Sequence, residues 1–198
     1  MTYAIIGSGA IGEALAKQFA RKGIDVLVSN SRGPASLADL ARTLGPSIKP
    51  VPVAEALGAD VVILAVPYRA IADAVGPAAG WDGRIVVDAT NAIDFPAFTP
   101  SDLGGRLSSE LVEDLLPGAR VVKAFNTLPA AVLAADPEQG GGARVVFLSG
   151  NHAQANREVA ALIGRLGFAA IDLGKLAEGG RLQQFGGALV VHNLVKQA

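Results

Sequence analysis

Two hydrophobic periods alternate along the chain. Continuous aliphatic runs recur as YAIIG (3–7), DVLVS (25–29), VVILAV (61–66), RIVVDA (84–89), RVVKAF (120–125), RVVFLS (144–149) and FAAIDL (168–173). Runs this short that are apolar at every position predict strands buried on both faces. SIKPVP (47–52) is a weaker strand because proline cannot donate to a ladder. Between most of these runs the apolar residues fall at helical spacing, as in IGEALAKQFARKG (11–23), PASLADLARTLG (34–45) and HAQANREVAALIGRLG (152–167). Strand and helix in alternation imply right-handed crossovers and a doubly wound, mainly parallel sheet covered on both faces.

Three segments break the alternation. NAIDFPAFTPSDLGG (91–105) follows a strand, so it is expected at the carboxyl end of the sheet, where ligands dock in such folds. DPEQGGG (136–142) is expected to be a solvated, flexible connection. The C-terminal segment, 174–198, is expected to be a glycine-interrupted helical extension that packs on the domain or on a second copy. A homodimer would cover its apolar stretch ALVVHNLV. The whole chain, 1–198, is expected to form one domain.

Composition sharpens this picture mainly by exclusion. Hydrophobic residues are 51% of the 198 and aromatics only 5%, which suits an aliphatic interior between sheet and helices. Seventeen basic and eighteen acidic residues give a formal charge of −1 with no long run of one sign, so neither nucleic acid nor an anionic membrane is an expected partner. The chain has no cysteine, which rules out thiolate metal sites and thiol nucleophiles. No apolar run is long enough to span a bilayer, and a strand beginning at Tyr3 leaves no room for a leader, so the expected location is the cytoplasm. No GxSxG elbow or HExxH zinc motif is present, and no metal site is expected.

The chemistry starts at Gly7-Ser8-Gly9-Ala10-Ile11-Gly12, between the first strand and the first helix. In this GxGxxG the first glycine allows a tight turn, the second a close backbone approach to a pyrophosphate, and the third close helix–strand packing. This places the chain among Rossmann dinucleotide-binding folds. The acidic residue that would hold the ribose of NAD belongs about 20 residues further on, at the end of the second strand. That place holds Ser29, Asn30, Ser31 and Arg32, while Asp25 lies at the opposite end of the strand. A guanidinium with hydroxyl and amide neighbours suits a 2′-phosphate, so the expected cofactor is NADP(H). Ala65, Val66, Pro67 and Tyr68 end one further strand, and Asp88, Ala89, Thr90 and Asn91 another. Ala65, Val66, Pro67, Ala89 and Asn91 are expected along the cofactor. Thr90, Asn91 and Asn126 are the candidates for the nicotinamide or substrate, with Asn126 best placed. Lys123 is expected to snorkel from its strand. His152 and His192 are expected as a helix cap and a packed helix residue, and no catalytic base can be named.

With GSGAIG, SNSR, AVPY, DATN and KAFNT in these positions, the chain resembles the coenzyme F420-dependent NADP oxidoreductases along essentially its whole length. It is also similar to the cytoplasmic NADPH domain of membrane metalloreductases. The resemblance implies NADP along the glycine loop, its 2′-phosphate at Ser29, Asn30, Ser31 and Arg32. It also implies a second cofactor, F420 or a flavin, stacked on the nicotinamide near AVPY, the loop after DATN, and FNTLPA. Hydride transfer between stacked rings needs positioning and exclusion of water more than an acid or base, which accounts for the missing base. The small-molecule partner is then a hydride acceptor or donor. An NADP(H)-binding sensor without turnover is the alternative. A hydroxyacid dehydrogenase or pyrroline-5-carboxylate reductase is less consistent, because nothing after about residue 175 is long enough to supply their helical domain.

Overall fold

The structure, a computed structural model, describes residues 1–76 and 80–197. In chain order its elements are β1 (Tyr3–Ile6), α1 (Ala10–Arg21), β2 (Val26–Ser29), α2 (Ala38–Leu44), β3 (Ile48–Pro50), α3 (Val53–Ala56), β4 (Val61–Leu64), α4 (Ile71–Val75), β5 (Ile85–Asp88), β6 (Ile93–Asp94), β7 (Thr99–Pro100), α5 (Ser108–Leu115), β8 (Arg120–Ala124), α6 (Ala130–Ala134), β9 (Glu138–Gln139), β10 (Gly142–Gly150), α7 (Ala153–Arg165), β11 (Ala169–Asp172), α8 (Arg181–Gln183) and β12 (Val195–Gln197).

The main sheet runs β11-β10-β8-β5-β4-β1-β2-β3. All its pairings are parallel except β8 with β10, where Leu148 faces Ala124 and Gly150 faces Val122. Alternate strand residues feed two cores. Tyr3, Ile5, Val61, Ile63, Ile85 and Val87 pack with Leu15 and Phe19 of α1 and with Val159 and Leu162 of α7. Ala4, Ile6, Val62, Leu64 and Val86 pack on the other side with Ala56, Ile71 and Val112 of α3 to α5 and with Leu116 just after α5. The apolar-at-every-position pattern of these strands is thus the signature of two buried faces. The chain winds outward from β1 to β3 and then returns past β1 to β4. The strand order therefore reverses between β1 and β4, and a crevice opens at their carboxyl ends.

Two expectations need correction, and the 91–105 loop gains detail. DPEQGGG is not a flexible connection: Glu138 and Gln139 pair with Ala143 and Gly142, and Gly140 and Gly141 take the positive φ values (56° and 80°) of a tight hairpin turn. The 91–105 loop contains a small hairpin of its own, with Ile93 opposite Pro100. In the C-terminal segment, Leu176–Gly180 forms a single wide π turn that leads into α8, but helix ends there. Residues 195–197 are instead a strand antiparallel to β10, and His192 is an exposed residue outside any helix or strand. The helix stops where Gln184 turns extended, ahead of the glycines at 186 and 187, and the β10 edge offers hydrogen bonds that the residues at 195–197 take.

Candidate functional site

The glycine turn is built as its spacing demands. Gly7, at φ 111°, has no room for a side chain: a Cβ there would overlap the Ala65 carbonyl, and one at Gly12 would overlap the Gly7 carbonyl oxygen. Gly9 differs, since a Cβ there would meet nothing within 4 Å. The open space lies where a ligand backbone would approach, and α1 begins there without any side-chain cap. Its first-turn N–H groups, contributed by Ala10, Ile11 and Gly12, are therefore available to an anion. Glu13 and Lys17 pair at 2.8 Å one turn on.

A cavity of about 650 Å³ occupies the crevice, lined by Gly7, Ser8, Gly9, Asn30, Ser31, Arg32, Ala65, Val66 and Pro67 together with Val53, Ala70 and Asp73. Asn30 organises its polar end. Its amide donates to Ser8 Oγ (2.8 Å) and Ser36 Oγ (3.0 Å), and its Oδ1 accepts the Arg32 backbone N–H. The exposed Arg32 guanidinium reaches Ser8 Oγ at 3.3 Å, above the glycine turn. Uncapped helix donors, an open Gly9 and an exposed guanidinium with Ser31 beside it fit a dinucleotide carrying a third phosphate group. Ser29 does not share in this. Its side chain is fully enclosed and its Oγ lacks a partner, because strand alternation turns it to the Leu27 face of the sheet. Ala89 is likewise buried, its N–H donating to the Leu64 carbonyl.

A second cavity of about 430 Å³ shares Pro67 with the first and is lined by Tyr68, Arg69, Asn91, Ile93, Asp94 and Phe95. Burial, and then the charge of Asp88, push the Tyr68 hydroxyl above its ordinary range, so it is protonated at neutral pH. The other predicted polar groups are turned inward. Thr90 gives both its backbone N–H and its hydroxyl to Asp88 Oδ1 (2.9 and 2.6 Å). Asn126 is buried, donating to Asn91 Oδ1 (3.0 Å) and to the Gln183 carbonyl (2.7 Å). It sits beneath the C-terminal segment rather than facing the cavity, and Asn91 alone of the three lines it. The chain bends there at Phe125, which holds a left-handed φ of 63°, a conformation costly for a bulky residue.

Lys123 does not snorkel. It is fully buried, and its ammonium pairs with Asp88 Oδ2 at 3.1 Å while donating to the Thr90 carbonyl. Ser109 at the start of α5 donates to the same Asp88 oxygen. Burial alone would raise the Asp88 pKa, but the Lys123 charge and the bonds from Ser109 and Thr90 outweigh it and hold the carboxyl below the usual range. The sequence signal for this pair was an acid and a base at neighbouring strand positions, in register at Asp88–Lys123. Gln183, which joins Ser149, Lys123 and Phe147, carried no such signal.

The reversal of strand order, the glycine turn and the cavity above it define a Rossmann-class α/β protein. The family described as coenzyme F420-dependent NADP oxidoreductase matches residues 2–92, a little under half of the chain and the part that builds the crevice. The chain is 64% identical to the hypothetical protein SMa0349 of Sinorhizobium meliloti, with a TM-score of 0.97 over 99% of this chain and 96% of that one. It is 27% identical to a proposed F420-dependent NADP-reductase of Arthrobacter sp. FB24, with a TM-score of 0.73 over 99% and 100% of the two chains. It is also 31% identical over 176 residues to metalloreductase STEAP3 of Rattus norvegicus, a match covering 87% of this chain. The chain spans about a third of that relative's length (34%). Among the described residues, no helix is long and apolar enough to cross a membrane.

Proposed function

We propose that the chain binds NADP(H) in the 650 Å³ cavity and passes hydride between it and a flavin or deazaflavin ring seated in the adjoining cavity beside Tyr68 and Asn91. The observation that carries this reading is Arg32 standing over Ser8 at the end of β2, where no carboxylate opposes a 2′-phosphate. The α1 donors would hold the pyrophosphate, and Ser31 with Arg32 the 2′-phosphate. The bound nicotinamide supplies the hydride, and the proton that completes reduction of the ring comes from solvent. Thr90, Asn126 and Lys123 act one layer below, fixing the strand ends that wall the two cavities.

The test is anaerobic oxidation of NADPH by the purified protein, with F420, FMN, FAD and no acceptor side by side. Acceptor-dependent oxidation is the expected result. Thr90, Asn126, Lys123 and Asp88 are all bonded internally and offer neither cavity an acid or a base, which is also what an NADP(H) sensor would have. Tight NADPH binding with no oxidation by any acceptor would favour the sensor.

A further inference from the structure

Across the β6–β7 hairpin from the acceptor cavity lies a smaller one, about 290 Å³, lined by residues that the dinucleotide reading leaves unused. Ala92 lines it while its neighbours Asn91 and Ile93 line the acceptor cavity, so the hairpin is their common wall. Three features give this second space a positive, donor-rich character. It lies at the N-terminus of α5, where the Ser108 N–H has only a long 3.5 Å contact, to Gln184. Ser108 itself is 1% exposed, and its Oγ has no hydrogen-bond partner although the residue lines the cavity. Arg181 also lines it and makes no ion pair among the described residues. The second arginine there, Arg106, is paired with Asp114 at 2.6 Å, and Asp102 contributes one carboxylate, so Arg181 is the uncommitted cation.

An aromatic ridge joins the two cavities. Phe95 lines the acceptor cavity and meets Phe98 edge-on at 5.8 Å; Phe98 meets Phe185 at 5.2 Å, and Phe185 lines the smaller cavity. Phe95 and Phe98 are 74% and 60% exposed, a costly display of aromatic surface unless a ligand covers it.

We propose that the hydride acceptor is a phosphorylated ring compound. Its side chain follows the Phe95–Phe98–Phe185 ridge, and its phosphate sits at Arg181, Ser108 and the α5 N-terminus. This inference rests on the acceptor reading above and adds the phosphate as the group selected. FMN and F420 both carry such a phosphate, while riboflavin and the dephosphorylated deazaflavin keep the ring and lack it.

The test measures affinity, by quenching of ring fluorescence on NADP⁺-saturated protein, for FMN against riboflavin and for F420 against its dephosphorylated form. NADPH oxidation with the same four compounds is followed in parallel. The expected result is a preference of about tenfold or more for the phosphorylated member of at least one pair, the size of one charge-assisted contact. Arg181→Gln, a change at an exposed side chain, should shrink that preference to about threefold or less, whereas the surface control Arg42→Gln should keep it. Equal affinity within both pairs, no binding of any of the four, or an undiminished preference in Arg181→Gln would overturn the proposal. NADPH oxidation without phosphate preference would leave the acceptor reading standing and remove the phosphate site. A binding preference without oxidation would do the reverse.

Discussion

Lys123 Nζ lies 3.1 Å from Asp88 Oδ2, with both side chains fully buried on adjacent parallel strands just beneath the crevice. Each charge is tolerable there only because the other is present, and Ser109 and Thr90 complete the carboxylate's hydrogen bonds. Removing one partner strands the other. Lys123→Met should therefore cost about 3–5 kcal/mol of stability, read from the urea midpoint. Adding Asp88→Asn to that variant should recover part of the loss. A double variant no more stable than the single one would mean that the pair's value lies in its hydrogen bonds rather than in mutual neutralisation.

The same carboxylate makes the fold acid-sensitive in a defined direction. Its folded-state pKa lies below the ordinary value, so the unfolded chain takes up the proton first, near pH 4. The stabilisation from Asp88 is complete above that pH and drains away as pH falls through the lower folded-state pKa. Thermal melts from pH 7 down to 3 should show a steep loss below about pH 4, shallower in the Asp88→Asn/Lys123→Met variant.

Two glycines of one motif should fail in opposite ways. Gly12→Ala drives a methyl group into the Gly7 carbonyl and should destabilise the fold by about 1–3 kcal/mol. Gly9→Ala meets open space, so its melting temperature should stay near that of the parent while NADPH affinity falls. Calorimetric binding and thermal melts on both variants check this. An unaltered NADPH affinity in Gly9→Ala would remove the pyrophosphate from this turn.

Arg32→Ala should weaken NADPH by about 1.5–3 kcal/mol and leave NADH nearly unchanged, because the guanidinium is exposed and, among the described residues, holds only Ser8. Equal losses for the two nucleotides, by calorimetry, would show that Arg32 does not read the 2′-phosphate.

What could be read from the sequence follows from how local the cause was. Strands apolar at every position announce two buried faces, and GSGAIG announces a turn whose constraints lie within six residues, so both are legible in the sequence alone. Ser29 is polar at a strand end, but a strand's last side chain can face either side, and its complete burial becomes visible only in the fold. Asn126 and Thr90 look like site residues, being polar at strand ends. Thr90 is claimed by Asp88 only two residues away, whereas Asn126's partner Gln183 becomes visible only when the C-terminal turn is folded over β8. ALVVHNLV is apolar without clear alternation and so suggests helix, but the edge of β10 pairs the residues that end it as a strand.

Gln18 of α1 donates to the carbonyls of Leu133 (2.5 Å) and Ala135 (2.7 Å) at the end of α6. The helix whose first turn faces the crevice is thus fastened, at mid-length, to the far half of the sheet. With the sheet itself continuous from β3 to β11, the described residues contain no seam along which two lobes could swing apart. A nucleotide entering the crevice would then meet a site already assembled, and the contacts it makes there, rather than any domain opening, would govern how long it stays.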